Sequence, residues 1–185
     1  MGGPILPWSA GSWVLVGALV AAALLAAPVV PHAPEAALAV LVAWIAAQDL
    51  RSFTIPDAAL AGWAALAVFD LTTRPLFAID PAFAAGAFVL EGLVCGGSVL
   101  LVREIYYRRQ GHDGIGFGDV KLAGVGGLLC GLAGFSLALL IASLAGLAVA
   151  LIQRRVRPGR ASGKVAFGAC LAPAFLLVWL SGASL

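Results

Sequence analysis

Charged side chains are scarce in this chain. Asp, Glu, Lys and Arg together make up only 11% of its 185 residues, whereas about a quarter of the residues in a soluble domain are charged. Hydrophobic residues account for 62%, and the mean hydropathy is +1.05. Long apolar runs with so few charges argue against a soluble globular domain. They predict an all-α polytopic membrane protein.

Side chains that bind metals are also few. The chain has three cysteines, Cys95, Cys130 and Cys170, and two histidines. The cysteines lie far apart in apolar runs and form no Cys-x-x-Cys pair, which argues against a structural zinc site. His112 has no cluster of partners, so neither a metal nor a cofactor is expected. We interpret the cysteines as small buried hydrophobic residues.

The apolar runs divide into about seven segments that are each a candidate transmembrane helix. The first resembles a signal peptide at its alanine-rich end, but no basic residue precedes it, so we predict a retained helix. The chain then divides into an N-terminal segment, residues 1–34, and a six-helix core, residues 35–185. The division between the fifth and sixth segments rests on Gly131 and Gly134. The seven segments are residues 12–30, 35–50, 57–72, 82–102, 119–133, 135–152 and 165–183.

The basic residues orient these segments. If the segments alternate in direction, ten of the eleven Lys and Arg residues lie on one side, and only Arg74 lies on the other. The positive-inside rule assigns the basic side to the cytoplasm, so the N-terminus is predicted to be cytoplasmic. The same rule explains the basic loops without a nucleic-acid partner. The ten residues are Arg51, Arg103, Arg108, Arg109, Lys121, Arg154, Arg155, Arg157, Arg160 and Lys164.

Two carboxylates fall on this predicted cytoplasmic face. Asp49 ends the second segment and Asp119 begins the fifth. Ionisable residues within membrane helices are costly and usually functional. A pair of carboxylates that share one proton can activate water with one member and polarise a carbonyl with the other. The pair therefore indicates peptide hydrolysis without a metal or a covalent intermediate.

Three glycines, Gly114, Gly116 and Gly118, precede Asp119. The pattern predicts a sharp backbone turn with positive φ just before the helix, since glycine adopts positive φ without a steric penalty. The absence of side chains also leaves room for an extended substrate backbone.

Each polar residue also has a purely structural interpretation. Asp119 could be a helix N-cap. Asp49 could be an interfacial residue paired with Arg51 or with a lipid headgroup. Lys121 is interpreted as a lysine that extends its charge toward the headgroups. Glu91 lies in the middle of a segment, where it could be protonated or hydrogen-bonded across helices.

Two sequence motifs surround the aspartates: Gln48-Asp49-Leu50-Arg51 with Ile55-Pro56-Asp57, and Gly116-Phe117-Gly118-Asp119-Val120-Lys121-Leu122. Together they resemble the type IV prepilin peptidase family, bacterial membrane aspartic proteases of the Gly-x-Gly-Asp class. Asp57 stands where that family usually has Asn. The resemblance implies that Asp49 and Asp119 are catalytic. The residues that it implies to shape the loops around the substrate are Pro56, Asp57, Gly116, Gly118 and Lys121.

A third, weaker motif lies near the end of the chain, at Lys164-Val165-Ala166-Phe167-Gly168-Ala169-Cys170-Leu171. It is similar to Pro-Phe-Gly-Pro-Phe-Leu of the same family, with Ala166 and Ala169 in place of the two prolines.

The resemblance implies an endopeptidase of the bacterial inner membrane, surrounded by lipid. It would remove the leader peptide of a type IV prepilin or pseudopilin at the cytoplasmic face, after a glycine. The bifunctional members of the family have an N-terminal methyltransferase domain with two Cys-x-x-Cys pairs. The chain lacks such pairs, so a peptidase without methyltransferase activity is expected.

Two other functions stay open on the sequence. One is a small proton- or cation-coupled transporter in which Asp49, Glu91 and Asp119 form a relay. Such a relay would spread its acids across the depth of the bilayer and would not require glycines before Asp119. The other is a catalytically inactive assembly subunit of a pilus or secretion system.

Overall fold

The computed structural model describes residues 33–111, 114–156 and 165–182. Within these ranges the chain is helical and contains no strand, which confirms the all-α prediction. The predicted helix over 12–30 lies outside the described residues. The helices are α1 (Ala33–Ser52), α2 (Asp57–Thr73), α3 (Pro75–Ile79), α4 (Pro81–Gln110), α5 (Phe117–Val156) and α6 (Gly168–Leu180).

Local sequence signals set the ends of the long helix α4. Pro81 is at its first turn, where the missing N–H of proline costs little. The side chain of Asp80 accepts a hydrogen bond from the Phe83 N–H at 3.0 Å and so caps the helix. Gly111 ends α4 in the left-handed conformation with φ 72°. The helix α4 therefore ends directly before the glycine-rich loop that precedes α5.

Helix α5 is interrupted at Gly131, whose φ of 68° and ψ of −179° are not helical. This break was predicted between Gly131 and Gly134 and is confirmed. A break leaves carbonyl oxygens of the preceding turn without helical partners. The Arg74 guanidinium donates to one of them, the carbonyl of Leu129, at 2.9 Å. Arg74 is itself held by Asp70 at 2.9 Å, so the end of α2 stabilises the break in α5.

The second half of α5, residues 132–156, returns toward the end of the bundle from which the first half started. Val149 belongs to a buried cluster with Leu50 at the end of α1 and Ala169 at the start of α6. The ion pair between Asp57 and Lys121 brings the starts of α2 and α5 to the same end. We call this end of the bundle the site end. The break at Gly131 lies at the opposite end.

Small residues allow close contact between α4 and α5. A methyl group on Gly96 would lie 3.2 Å from the Gly124 Cα, and one on Gly92 would lie 3.2 Å from the Gly124 carbonyl oxygen. Such close backbone approach is typical of helices that pack in lipid. An edge-to-face contact between Trp63 and Phe175, with ring centroids 6.1 Å apart, joins α2 to α6.

Two described helices are long and apolar enough to cross a membrane, judged by length and composition. They are Pro81–Gln110, with mean hydropathy 1.9, and Phe117–Gln153, with mean hydropathy 2.5. The first contains the predicted segment 82–102, and the second contains 119–133 together with 135–152. The count of seven spans and the cytoplasmic N-terminus stay predictions.

Candidate active site

Asp49 lies in the last turn of α1 and is only 5% exposed. Its Oδ2 accepts a hydrogen bond from the backbone N–H of Ala169, at the start of α6, over 2.8 Å. The sequence suggests Arg51 or a lipid headgroup as the partner of Asp49. In the structure, the Asp49 carboxylate is hydrogen-bonded to the backbone of α6 instead. Asp49 is therefore anchored by a helix that begins more than a hundred residues later.

The backbone that follows Asp49 is strained. Phe53, just beyond α1, has φ 54°, a left-handed conformation that favours glycine and is uncommon for an aromatic residue. Its N–H donates to the Asp49 carbonyl oxygen at 2.9 Å, the bond that ends a helix in the left-handed C-cap motif. The chain turns sharply there and reaches Pro56, the N-cap of α2, within three residues. This turn places residues 53–57 beside the Asp49 carboxylate.

Asp119 is the third residue of α5 and is 8% exposed. The helix begins at Phe117, so Gly116 occupies the N-cap position, and the N-cap interpretation of Asp119 is wrong. The Asp119 carboxylate instead reaches back to the backbone N–H of Gly116. An acidic residue at this third position commonly makes that contact, which satisfies an N–H left over at the helix start.

The two carboxylates meet beside Gly168. A methyl group built on Gly168 would lie 3.0 Å from the Asp49 Oδ2, 3.0 Å from the Asp119 Oδ1 and 2.9 Å from the Ile55 Cδ1. Both oxygens lie 3.0 Å from the same point, so the distance between the two oxygens is at most twice that value. The absence of a side chain at Gly168 leaves the space in which the pair comes together.

The glycines before Asp119 allow close contact rather than an unusual backbone. Among the described residues, positive φ at glycine occurs at positions 111, 131 and 182, so the positive φ predicted for Gly114, Gly116 and Gly118 is wrong. A methyl group on Gly114 would lie 2.4 Å from the Tyr106 ring, and one on Gly118 would lie 3.1 Å from the Ile55 side chain. These two glycines let the loop lie directly against α4 and against the turn after α1.

An open cleft of about 250 Å³ contains both carboxylates. At its mouth the Lys121 Nζ lies 2.7 Å from the Asp57 Oδ1 and 5.7 Å from the centre of the Phe117 ring. Lys121 thus joins α5 to α2, instead of extending to lipid headgroups as interpreted from the sequence. The residues that line the cleft are Asp49, Phe53, Thr54, Ile55, Asp57, Gly116, Phe117, Gly118, Asp119 and Lys121.

Phe53 and Thr54 line the cleft although no motif contains them, and Gly168 and Ala169 contribute to the site although they are not among the predicted site residues. The signal for the latter two was the motif around Phe167-Gly168, whose match to the family is weak because both prolines are missing. Glu91, by contrast, is not in the cleft. Its Oε1 lies 3.4 Å from the position that a methyl group on Gly131 would occupy, beside the break in α5.

Cys95, Cys130 and Cys170 are free and buried, as interpreted. Within the part of the chain that the structure describes, no group of three His, Cys, Asp or Glu residues could hold a metal ion. The chemistry available in the cleft is that of two neighbouring carboxyl groups that reach solvent through one opening. Such a pair can take a proton from water and give a proton to a carbonyl oxygen.

Comparison with known proteins identifies the family. No significant match was found among curated proteins or among solved structures. A sequence profile described as the type IV leader peptidase family matches residues 36–151, a range that contains both aspartates and every residue lining the cleft. The members of this family are membrane-embedded aspartic peptidases, and prepilins are the substrates that membership implies. The chain belongs to the type IV leader peptidase family.

Proposed function

We propose that the chain is an aspartic endopeptidase that removes the leader peptide of a type IV prepilin or pseudopilin at the cytoplasmic face of the bacterial inner membrane. Asp49 and Asp119 are its catalytic pair. The observation that carries the proposal is the meeting of these two buried carboxylates beside Gly168, in a cleft open to solvent. Family membership supports the peptidase class.

The pair acts while it shares one proton. The ionised carboxyl group removes a proton from a water molecule, and the resulting hydroxide attacks the carbonyl carbon of the scissile peptide bond. The protonated carboxyl group gives its proton to the carbonyl oxygen, so a neutral tetrahedral intermediate forms. When the C–N bond breaks, a proton returns to the leaving amine, and the hydroxyl proton of the intermediate restores the shared proton.

The cleft accepts an extended backbone next to the pair. Gly116 is exposed, and Gly118 packs against Ile55 with no side chain between them. A substrate strand can therefore approach the glycine backbone closely. Phe53 and Phe117 add exposed apolar surface at the rim, which suits a substrate whose cleavage site adjoins an apolar helix.

The charges at the site end support a cytoplasmic location for the cleft. Arg51 follows Asp49 at the end of α1, and Arg108 and Arg109 lie in the last turn of α4, which ends at the glycine-rich loop. Arg74 lies at the opposite end, beside the break in α5. The positive-inside rule then supports cleavage on the cytoplasmic side. We further propose that the chain performs no N-methylation.

The transporter alternative is not favoured by the positions of the acids. A relay requires acids at successive depths along one path. Two of the three acids, Asp49 and Asp119, instead share one cleft at the same depth, and Glu91 alone of the three lies away from it, beside Gly131. The glycine-rich loop packs against the two aspartates. Such a loop can serve substrate binding, whereas a relay does not require it.

Leader removal from a co-expressed prepilin, followed by gel shift, tests the proposal. We expect the wild type to process the prepilin, and Asp49→Asn and Asp119→Asn to leave it unprocessed while inserting in the membrane normally. Glu91→Gln is the matched control and should process the prepilin at the wild-type rate, because Glu91 does not line the cleft. A relay, by contrast, would need Glu91 as well as the two aspartates. Cleavage by either Asn variant at the wild-type rate would contradict the proposed pair. The intact mass of the product shows whether a methyl group has been added.

A further inference from the structure

The first turn of α6 makes direct contact with the catalytic pair, although it lies outside the matched residues 36–151. Gly168 and Ala169 are buried there. The Ala169 N–H donates to the Asp49 Oδ2 at 2.8 Å, and the Gly168 backbone also interacts with that carboxylate. The family motif that this segment resembles has proline in place of Ala169, and proline has no N–H to donate.

The two members of the pair have unequal backbone support. Among the described residues, Asp49 interacts with the backbone of both Gly168 and Ala169, whereas Gly116 is the backbone partner of Asp119. An N–H group can donate only to an oxygen that accepts, so it favours the ionised form of the carboxyl group that it contacts. The N-terminus of α6, which points at Asp49, favours negative charge there as well.

The charged and titratable groups around Asp49 come from several helices. Asp119 faces it from α5 and Cys170 lies close to it on α6. Lys121 and Asp57 share its cleft, but they are bonded to each other at 2.7 Å, so their charges largely cancel. Both carboxyl groups are buried, and Asp49 has an additional backbone donor in Ala169, at 2.8 Å.

We infer that Ala169 is a positioning residue whose backbone N–H holds Asp49 in the ionised, water-activating form, so that Asp119 carries the shared proton to the substrate carbonyl. The inference rests on the proposed function and assigns separate roles within that site. It also assigns α6 a part in the reaction, although α6 supplies no side chain to the chemistry.

The substitution Ala169→Pro removes this donor, and proline is tolerated in the first turn of a helix. One hydrogen bond to a charged group stabilises it enough to change a rate by about 10- to 100-fold. We expect Ala169→Pro to lower kcat by about tenfold at neutral pH with little change in KM. The acidic limb of the kcat–pH profile should move upward by about one pH unit, since a carboxyl group without its donor ionises less readily. Ala169→Gly keeps the N–H and is the matched control.

The assay uses the purified full-length chain in detergent and a prepilin peptide with a basic leader, a Gly-Phe junction and the following apolar segment. A shifted acidic limb in Ala169→Pro alone supports the inference. Coincident profiles for the wild type, Ala169→Pro and Ala169→Gly overturn it, as does an equal shift in both variants. If Ala169→Pro does not fold, replacing Ala169 with lactic acid turns the N–H into an ester oxygen, and the same outcomes apply. A wild type that does not cleave the peptide instead overturns the proposed function.

Discussion

The substitution Gly168→Ala tests whether the two carboxylates meet where the structure places them. The added methyl group would lie 3.0 Å from one oxygen of Asp49, 3.0 Å from one oxygen of Asp119 and 2.9 Å from Ile55. Ordinary contacts of this kind begin at 3.4 Å, so all three neighbours must move away. Both carboxylates are buried and bonded to backbone, which leaves them little freedom to do so.

The expected loss follows from the size of that movement. A misplacement of about 1 Å at a reacting centre can cost about 100-fold in rate. A shift of several tenths of an ångström in both members of the pair should then lower kcat by about tenfold. Crowding of this kind also destabilises a well-packed core by about 1–3 kcal/mol, so activity must be measured well below the unfolding temperature.

The assay compares cleavage of a prepilin peptide by purified Gly168→Ala and wild-type protein, with the unfolding midpoint recorded in the same detergent. Gly97→Ala is the matched control, because a methyl group on Gly97 meets nothing within 4 Å. We expect Gly97→Ala to keep the wild-type kcat and to have an equal or slightly higher unfolding midpoint, because alanine favours a helix more than glycine does. If Gly168→Ala keeps the wild-type kcat, the carboxylates do not converge on this position, and the proposed site geometry is wrong.

Three further predictions concern the supports of the fold and are tested by thermal unfolding in detergent. Arg74→Met should lower the free energy of unfolding by about 1.5–3 kcal/mol, because it removes charged hydrogen bonds at the break in α5. Arg108→Met is the control, because the Arg108 side chain is 76% exposed, and it should cost well under 1 kcal/mol. Equal losses in the two variants would contradict the role of Arg74 at the break. Gly131→Ala should cost about 1–3 kcal/mol, because φ 68° with ψ −179° is a conformation that essentially only glycine adopts. An unchanged midpoint would mean that the break does not have this conformation. Asp57→Asn and Lys121→Met should each lower the free energy of unfolding by less than about 1 kcal/mol. The double variant should lose no more than the larger of the two single losses, because the two charges act as a pair. Additive losses would show that the two charges do not interact.

The parts of the fold that the sequence predicted correctly depend on local signals. Charge scarcity and apolar runs locate the helices, and the glycines at 131 and 134 locate the break in α5. The meeting of Asp49 and Asp119 at one end follows from counting helices that alternate in direction. That inference needs only the number of reversals between the two residues, and the structure places both in one cleft.

The parts that it did not predict depend on contacts between distant segments. The bond from Ala169 to Asp49 joins residues 120 positions apart, and no local pattern specifies it. Lys121 was interpreted from its own helix alone, whereas its partner Asp57 lies 64 positions earlier. The glycines before Asp119 were expected to adopt positive φ, yet two of them are small because Tyr106 and Ile55 pack against them. Side-chain clearance of that kind becomes visible only when the neighbouring helices are in place.

The long separation between Asp49 and its donor on α6 also sets the order in which the parts of the site are synthesised. The helix α1, with Asp49, is synthesised before α5, with Asp119, and both precede α6. Both aspartates are then present, but the space beside Gly168 and the backbone that fixes Asp49 do not yet exist. The pair is completed only when the last described helix is in place. On the proposed function, a nascent chain therefore carries both aspartates through most of its synthesis without a complete active site.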